Sequence, residues 1–340
     1  MSGTFSYLIR ADGSNDIGLG HIYRTRTLAN CLGRHNVIYL SNDDKVVSSL
    51  LSGYRHVVLP ETSTSETIFT TIETLIKQHQ ISMIISDLLH YDANYLQFVK
   101  RTELKMVTFH EHLCRDGLSD IVINYNTFPG FLAAMDADSP HCLGPKYTIF
   151  PELLRLKDRI CLKDNIRKVF ISFGGSDPGG LTRKIMDAME ESERIARDIE
   201  EIMVHLGPAN RDREDIETKA ALSAYPYKLY TDVADVHGLM CESDLALSAG
   251  GNMMYELCYL GVPAIIVPQN AHQEQFGREL SHVGAVSLPC PFSMIEGDVI
   301  VRDLLRLSSD SSLRKKMHEV SCSLFDKDGV VQIINKLKRL

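Results

Sequence analysis

Short β-rich runs alternate with longer amphipathic stretches along this chain, a rhythm that restricts it to βαβ units and a parallel sheet. Phe5–Arg10 reads as a strand, a glycine-containing loop follows, and Tyr23–Leu32 reads as a helix. Val37–Leu40 is the next strand, and Ser65–His79 carries Ile68, Ile72, Leu75 and Ile76 at helical spacing. Ile81–Ser86, Lys105–Phe109 and Ile121–Ile123 are further apolar strands. The rhythm restarts with strand Lys168–Phe173, a turn at residues 174–178 and helix Leu181–Glu190. Strands are then expected at Glu201–Leu206, Lys228–Tyr230, Leu245–Leu247 and Ala264–Val267. Leu153–Asn165, charged and less periodic, separates the two series. The expected organisation is two doubly wound α/β domains facing a central cleft. Residues 1–152 form the first, residues 153–329 the second, and a closing helix at 330–340 crosses back to the first.

With 340 residues, 44% hydrophobic and 24% charged, each half can bury its own core. The net charge of −8 argues against a basic nucleic-acid-binding face, though not against a local pocket for a small phosphate. No run of about 18 apolar residues is present to span a bilayer, and Met1–Tyr7 does not read as a signal peptide, so a cytoplasmic location is expected. The eight cysteines are scattered without a Cys-x-x-Cys pair, and the expectation is buried, reduced thiols.

In doubly wound sheets ligands bind beyond the carboxyl ends of the strands, so the loops just after strands are where chemistry is expected. After the first strand comes Arg10-Ala11-Asp12-Gly13-Ser14-Asn15-Asp16-Ile17-Gly18-Leu19-Gly20-His21. Gly18 and Gly20 permit close backbone approach, and His21 stands at a helix start. A neutral imidazole there would act as a general base, and the bland alternative is a tight turn with an incidental histidine. Tyr23 occupies the place of the third glycine in a dinucleotide fingerprint, which excludes that motif.

Three later loops share this design. Gly174-Gly175-Ser176-Asp177-Pro178 reads as an anion-accepting turn or a plain βα turn. Gly250-Gly251-Asn252 opens a helix that carries Glu256 one turn in, placed to accept two ribose hydroxyls or to serve as a first-turn acid. Asn270, Gln273 and Glu274 follow the next strand and offer directional contacts to a hydroxylated or acetamido sugar, or simply cap a helix. His110, Glu111 and His112 are read as polar cleft groups rather than a metal cluster.

Taken together these segments resemble the UDP-2,4-diacetamido-2,4,6-trideoxy-β-L-altropyranose hydrolases of pseudaminic acid biosynthesis, a family that merges with the spore-coat SpsG-like proteins. The likeness is carried by Arg10–His21 with Arg24, Gly144-Pro145-Lys146-Tyr147, Phe173–Pro178, Ser248–Gly251 with Tyr255-Glu256, Leu260–Pro263 and Gln273-Glu274. It implies a MurG-like GT-B fold, with UDP held mainly by the second domain and the sugar or acceptor by the first. By that likeness Gly174, Gly175 and Ser176 lie near the uracil or phosphates, Gly250, Gly251 and Asn252 meet the diphosphate, and Glu256 meets the ribose. His21 is the implied base, activating water to invert the anomeric carbon of a UDP-sugar, and Asp12 would orient His21 or a hydroxyl. Arg10, Gly20, Tyr91, Asn270, Gln273 and Glu274 are the implied sugar contacts. That mechanism requires neither metal nor cofactor. The departures are Asp87-Leu88-Leu89-His90-Tyr91, Phe109-His110-Glu111-His112 and Asn124-Tyr125-Asn126, all on the sugar side. Hydrolysis is therefore expected first, with transfer to a sugar or lipid hydroxyl as the alternative. The sequence carries no signal for oligomeric state.

Overall fold

The computed structural model describes residues 6–14, 19–111, 115–126, 139–192 and 199–340. The chain divides into two compact units, Met1–Glu152 together with Asp326–Leu340, and Leu153–Phe325.

In the first unit β1 (Ser6–Ala11), α1 (Gly20–Leu32), β2 (Val37–Asn42), α2 (Lys45–Leu50) and β3 (Arg55–Leu59) are followed by α3 (Ser65–His79), β4 (Ile81–Asp87) and α4 (Ala93–Arg101). β5 (Lys105–Phe109), β6 (Ile121–Asn124) and β7 (Cys142–Leu143) complete its sheet among the described residues. Every strand pair is parallel, in the order β3-β2-β1-β4-β5-β6-β7. The order reverses between β1 and β4, so their carboxyl ends flank the crevice where such sheets place ligands.

The strands read as nearly continuous apolar runs because both faces are covered. On one face Tyr7, Ile9 and Ala11 pack with Ile22, Leu28 and Ala29 of α1 and with Val330, Ile333, Ile334 and Leu337. On the other, Leu8, Ile38, Leu40 and Ile84 pack with Ile72 and Leu75 of α3 and with Leu96 and Val99 of α4. Thr64 caps α3 by accepting from the Thr67 amide, and the helix ends where Gln80 turns left-handed at φ 49°. β3 and β7 were not legible in the sequence. β3 is a half-exposed edge strand that starts on a charged residue, and β7 has only two residues.

A short helix, α5 (Glu152–Arg155), stands at the division between the units. In the second unit β8 (Lys168–Ser172), α6 (Leu181–Glu190), β9 (Glu201–Leu206), α7 (Arg213–Leu222) and β10 (Tyr227–Thr231) precede α8 (Val236–Glu242) and β11 (Leu245–Ser248). α9 (Asn252–Leu260), β12 (Ala264–Ile266), α10 (Ala271–His282), α11 (Gly297–Ser309) and α12 (Ser311–Leu324) follow. This parallel sheet runs β10-β9-β8-β11-β12 and switches direction between β8 and β11. Its core joins Val169, Ile171, Ile202, Val204, Leu245 and Leu247 to Leu181, Ile185 and Met189 of α6 and Ile300 and Leu304 of α11. The last helix, α13 (Gly329–Leu337), belongs to the first unit and packs on α1. Gly329 is required there, since a Cβ would stand 2.4 Å from the Thr148 carbonyl oxygen.

Two cysteines depart from the expected burial. Cys31 and Cys161 are exposed and Cys241 and Cys322 half-buried, whereas Cys142, Cys258 and Cys290 are buried; all seven are free thiols. Cys114 lies outside the described residues.

Candidate functional site

His21 is the second residue of α1, directly after Gly20, and is 6% exposed. Its Nδ1 lies 2.7 Å from Oδ1 of Asp87, the last residue of β4 and fully buried. Arg24, one turn along α1, reaches the same carboxylate with both arms, Nε to Oδ2 at 2.5 Å and Nη2 to Oδ1 at 2.6 Å. Its third nitrogen donates to the Tyr125 hydroxyl and stands 3.7 Å from Glu111. The guanidinium also lies over the rings of Phe109 and Tyr125, with centroids 5.2 and 5.5 Å away. The ends of β4, β5 and β6 thus converge on one arginine from α1.

These contacts decide the histidine tautomer. Arg24 Nη2 is also 3.0 Å from His21 Nδ1. If Nδ1 carried a lone pair toward that donor, it would oppose the carboxylate oxygen 2.7 Å away. A proton on Nδ1 donated to Asp87 removes that repulsion, and it leaves the lone pair on Nε2, the state a general base needs. Burial works to raise the Asp87 carboxyl, but Arg24 and then His21 more than offset it and hold it at about 2. Burial likewise opposes the charge on Arg24, and Asp87 outweighs that, keeping the guanidinium firmly protonated.

Asp12 is bonded to residues other than His21: its Oδ2 accepts from Arg10 at 2.7 Å and its Oδ1 from the Asn42 amide at 2.7 Å. Asn42 in turn accepts from the Gly13 amide at 3.0 Å and donates to the Gly13 carbonyl at 2.9 Å. Asp12 therefore fastens the β1 loop to the end of β2. Arg10 is buried, and its Nε and Nη1 have no hydrogen-bond partner among the described residues. Gly18 and His112 lie outside those residues.

Tyr91 is also engaged differently. Its hydroxyl donates to the Ser86 carbonyl at 2.6 Å and its ring leans on His110. His110 Nε2 lies 3.2 Å from Asp116, so its ring joins a part-buried polar knot. Asp116 also accepts from Thr108 at 3.0 Å and from the amides of Leu118 and Ser119 at 2.9 and 2.7 Å. Burial works to raise the Asp116 carboxyl, but His110, Ser119 and the amides hold it far below the ordinary carboxylate range.

In the second unit the turn after β8 presents Gly174, Gly175 and Ser176. Gly174 has φ +84°, and a Cβ on Gly174 or Gly175 would meet nothing within 4 Å, so the outside of the turn is open. Asp177 is not part of that open face. It is buried and caps α6, accepting from the amides of Leu181 and Thr182 at 2.9 and 2.8 Å. Gly207, after β9, backs the turn: a Cβ there would lie 2.4 Å from Gly174 O, Gly175 Cα and Gly175 O.

The loop after β11 separates into structural and available parts. Gly250 donates its amide to Gln273 Oε1 at 3.2 Å, and a Cβ on it would meet the Gln273 carbonyl at 2.8 Å. Its glycine is explained by packing. Gln273 Oε1 also accepts from the Gln269 amide at 3.0 Å, and Asn270 caps α10 by accepting from the Gln273 amide at 2.9 Å. Glu274 accepts from the Phe292 amide at 2.9 Å and pairs with Arg278. Of these three, Gln273 joins the loops after β11 and β12, Asn270 caps α10, and Glu274 ties α10 to the segment at Phe292. Gly251 precedes α9, Asn252 is its exposed first residue, and Glu256 stands 3.3 Å from His237 Nε2 of α8.

Sequence reasoning missed Asp87, Arg24 as a clamp, Tyr125 and His237. Asp87 carried a usable signal, a single acid ending an apolar strand that neighbours β1 across the reversal point.

Residues 169–332 match the glycosyltransferase family 28 C-terminal domain. The spore coat polysaccharide biosynthesis protein SpsG of Bacillus subtilis is 27% identical over 338 residues, 98% of this chain and 97% of that protein. Acinetobacter baumannii MurG is similar with a TM-score of 0.77 at 14% identity, covering 99% of this chain and 100% of that one. The chain has the GT-B fold. Another GT-B-like neighbour, Anabaena HepE in complex with UDP, has a TM-score of 0.63 at 15% identity and covers 99% and 100% of the two chains. The GT-B likeness runs through both parallel sheets, and at these identities it speaks to fold alone. Among the described residues no helix is long and apolar enough to cross a membrane.

Proposed function

We propose that this chain transfers a sugar from a UDP-sugar to a hydroxyl acceptor in surface-polysaccharide biosynthesis, with inversion at the anomeric carbon. The observation that carries the reading is His21 bound through Nδ1 to buried Asp87, which leaves Nε2 as the proton acceptor at the carboxyl end of the first sheet. Nε2 takes the proton of the attacking hydroxyl as its oxygen bonds to the anomeric carbon. The bond from that carbon to the diphosphate oxygen breaks, and UDP leaves with the electron pair. Asp87 keeps its hydrogen bond to Nδ1 and stabilises the imidazolium that forms.

UDP is assigned to the second unit, to the open turn of Gly174, Gly175 and Ser176 and to Gly251, Asn252 and Glu256 at the start of α9. The family 28 match over that unit and the likeness to SpsG and to a UDP-bound neighbour support this assignment. Asp12, Arg10, Tyr91, Asn270, Gln273 and Glu274 are read as support for the loops rather than direct sugar contacts.

Hydrolysis of a UDP-linked 2,4-diacetamido-trideoxy sugar is the second reading, favoured by the Arg10–His21 loop. Water then replaces the acceptor hydroxyl at the same base. The two are separated by following UDP release from UDP-sugars with and without a sugar or lipid hydroxyl. Turnover that requires the acceptor supports transfer, and equal release without it supports hydrolysis.

A further inference from the structure

Arg24 is engaged on every arm of its guanidinium. It makes a two-armed pair with Asp87, approaches His21 Nδ1 at 3.0 Å, donates to Tyr125 and faces Glu111 at 3.7 Å. A structural clamp for the strand ends would not need to stand against the one nitrogen of His21 that must keep its proton.

The consequence is electrostatic. A buried carboxylate with no other partner would stabilise a charged imidazolium at all times, and a permanently protonated His21 accepts no proton. A fixed cation bound to the same carboxylate both neutralises it and disfavours a second cation beside it. We propose that Arg24 is a positioning residue for His21: bound to both oxygens of Asp87 and standing beside Nδ1, it fixes the carboxylate that holds the ring and opposes a second positive charge there. This rests on the reading of His21 as the base.

The other charged groups around α1 leave that role to Arg24. From β4 and its loop come Asp87 and Tyr91, from β2 Tyr39, and from the loops after β5 and β6 Glu111 and Tyr125. From β1, Arg10 and Asp12 are paired with each other. From α13, Lys336 is bound to the carbonyls of Ser139 and His141. Arg24 is the one cation among these that touches both Asp87 and His21.

The test is an NMR titration of the His21 ring in the intact protein, its resonance identified by its loss in His21→Gln, together with the pH profile of kcat/KM. In Arg24→Gln the His21 midpoint and the acid limb of the profile are expected to move upward by about one pH unit or more. Arg24→Lys, which keeps the charge, is expected to restore most of the wild-type position. If Arg24→Gln does not fold, the comparison is made between Asp87→Asn and Asp87→Asn/Arg24→Gln, where no buried charge is left alone in the double variant. The double variant is expected to titrate at least about one unit above the single. A uniform fall in activity with an unmoved His21 titration would overturn the proposal and leave Arg24 a structural clamp. If His21→Ala retains full turnover, the base reading fails on its own, since the ring titration does not depend on turnover.

Discussion

Asp87 Oδ1 lies 2.7 Å from His21 Nδ1, and the carboxylate it belongs to is fully buried between that imidazole and the Arg24 guanidinium. One strand end thereby fixes the tautomer of a histidine on the neighbouring helix and holds an arginine in place.

Asp87→Asn tests it first. The amide is isosteric, but its NH₂ can donate to His21 and favour the wrong tautomer. In a Ser-His-Asp triad the same exchange costs about 10⁴ in kcat. We expect a fall of about 10²–10⁴ in kcat with KM changed by less than about threefold. Steady-state kinetics at a fixed acceptor concentration check this, and an unchanged kcat would remove Asp87 from the mechanism.

The same residue makes a pH prediction. Asp87 is held at about 2, below the ordinary carboxylate range, despite a burial that works to raise it. A depressed carboxyl stabilises the fold fully above its unfolded value and loses that contribution as pH falls through the folded one. The window is about pH 4 down to 2, and the contribution is about 2 kcal/mol. Urea unfolding of wild type should weaken across that window more than unfolding of Asp87→Asn does. Parallel losses in both proteins would contradict the assignment.

Gly207→Ala is expected to act on the nucleotide side alone. A Cβ at Gly207 would lie 2.4 Å from the backbone of Gly174 and Gly175, so the turn must move. The expected result is UDP affinity weakened about tenfold or more by calorimetry, with His21 chemistry at saturation largely retained. Unaltered UDP affinity would mean that the turn does not bind UDP.

Glu256→Gln removes the charge assigned to the ribose. UDP binding should weaken by about 1–2 kcal/mol, and the preference for UDP over 2′-deoxy-UDP should shrink. A preference that survives the substitution would place the ribose elsewhere.

The sequence and the structure agree best where periodicity decides. Ser65–His79, Lys105–Phe109, Leu181–Glu190 and Glu201–Leu206 are read within the same bounds, because a two-sided apolar strand or a one-faced helix leaves a strong pattern. The edge strand Arg55–Leu59 escapes because a half-exposed strand loses that pattern. At the candidate site, His21 and the open glycine turn were legible from local residue types. The separation of Asp12 from Asp87 was not, since either acid follows a strand and only the sheet order puts β4 beside β1. Gln273 shows the other limit. Its composition suits a sugar contact, yet its side-chain oxygen receives the amides of Gly250 and Gln269, a pairing across 23 residues that no local pattern displays.

The most direct measurement follows UDP release by purified protein from a panel of UDP-sugars, with and without sugar or lipid hydroxyl acceptors, beside a His21→Ala control. Turnover is expected to require an acceptor and to fall by at least about 10²-fold in His21→Ala, with UDP binding kept. Release that persists undiminished in His21→Ala would contradict the reading of His21 as the base.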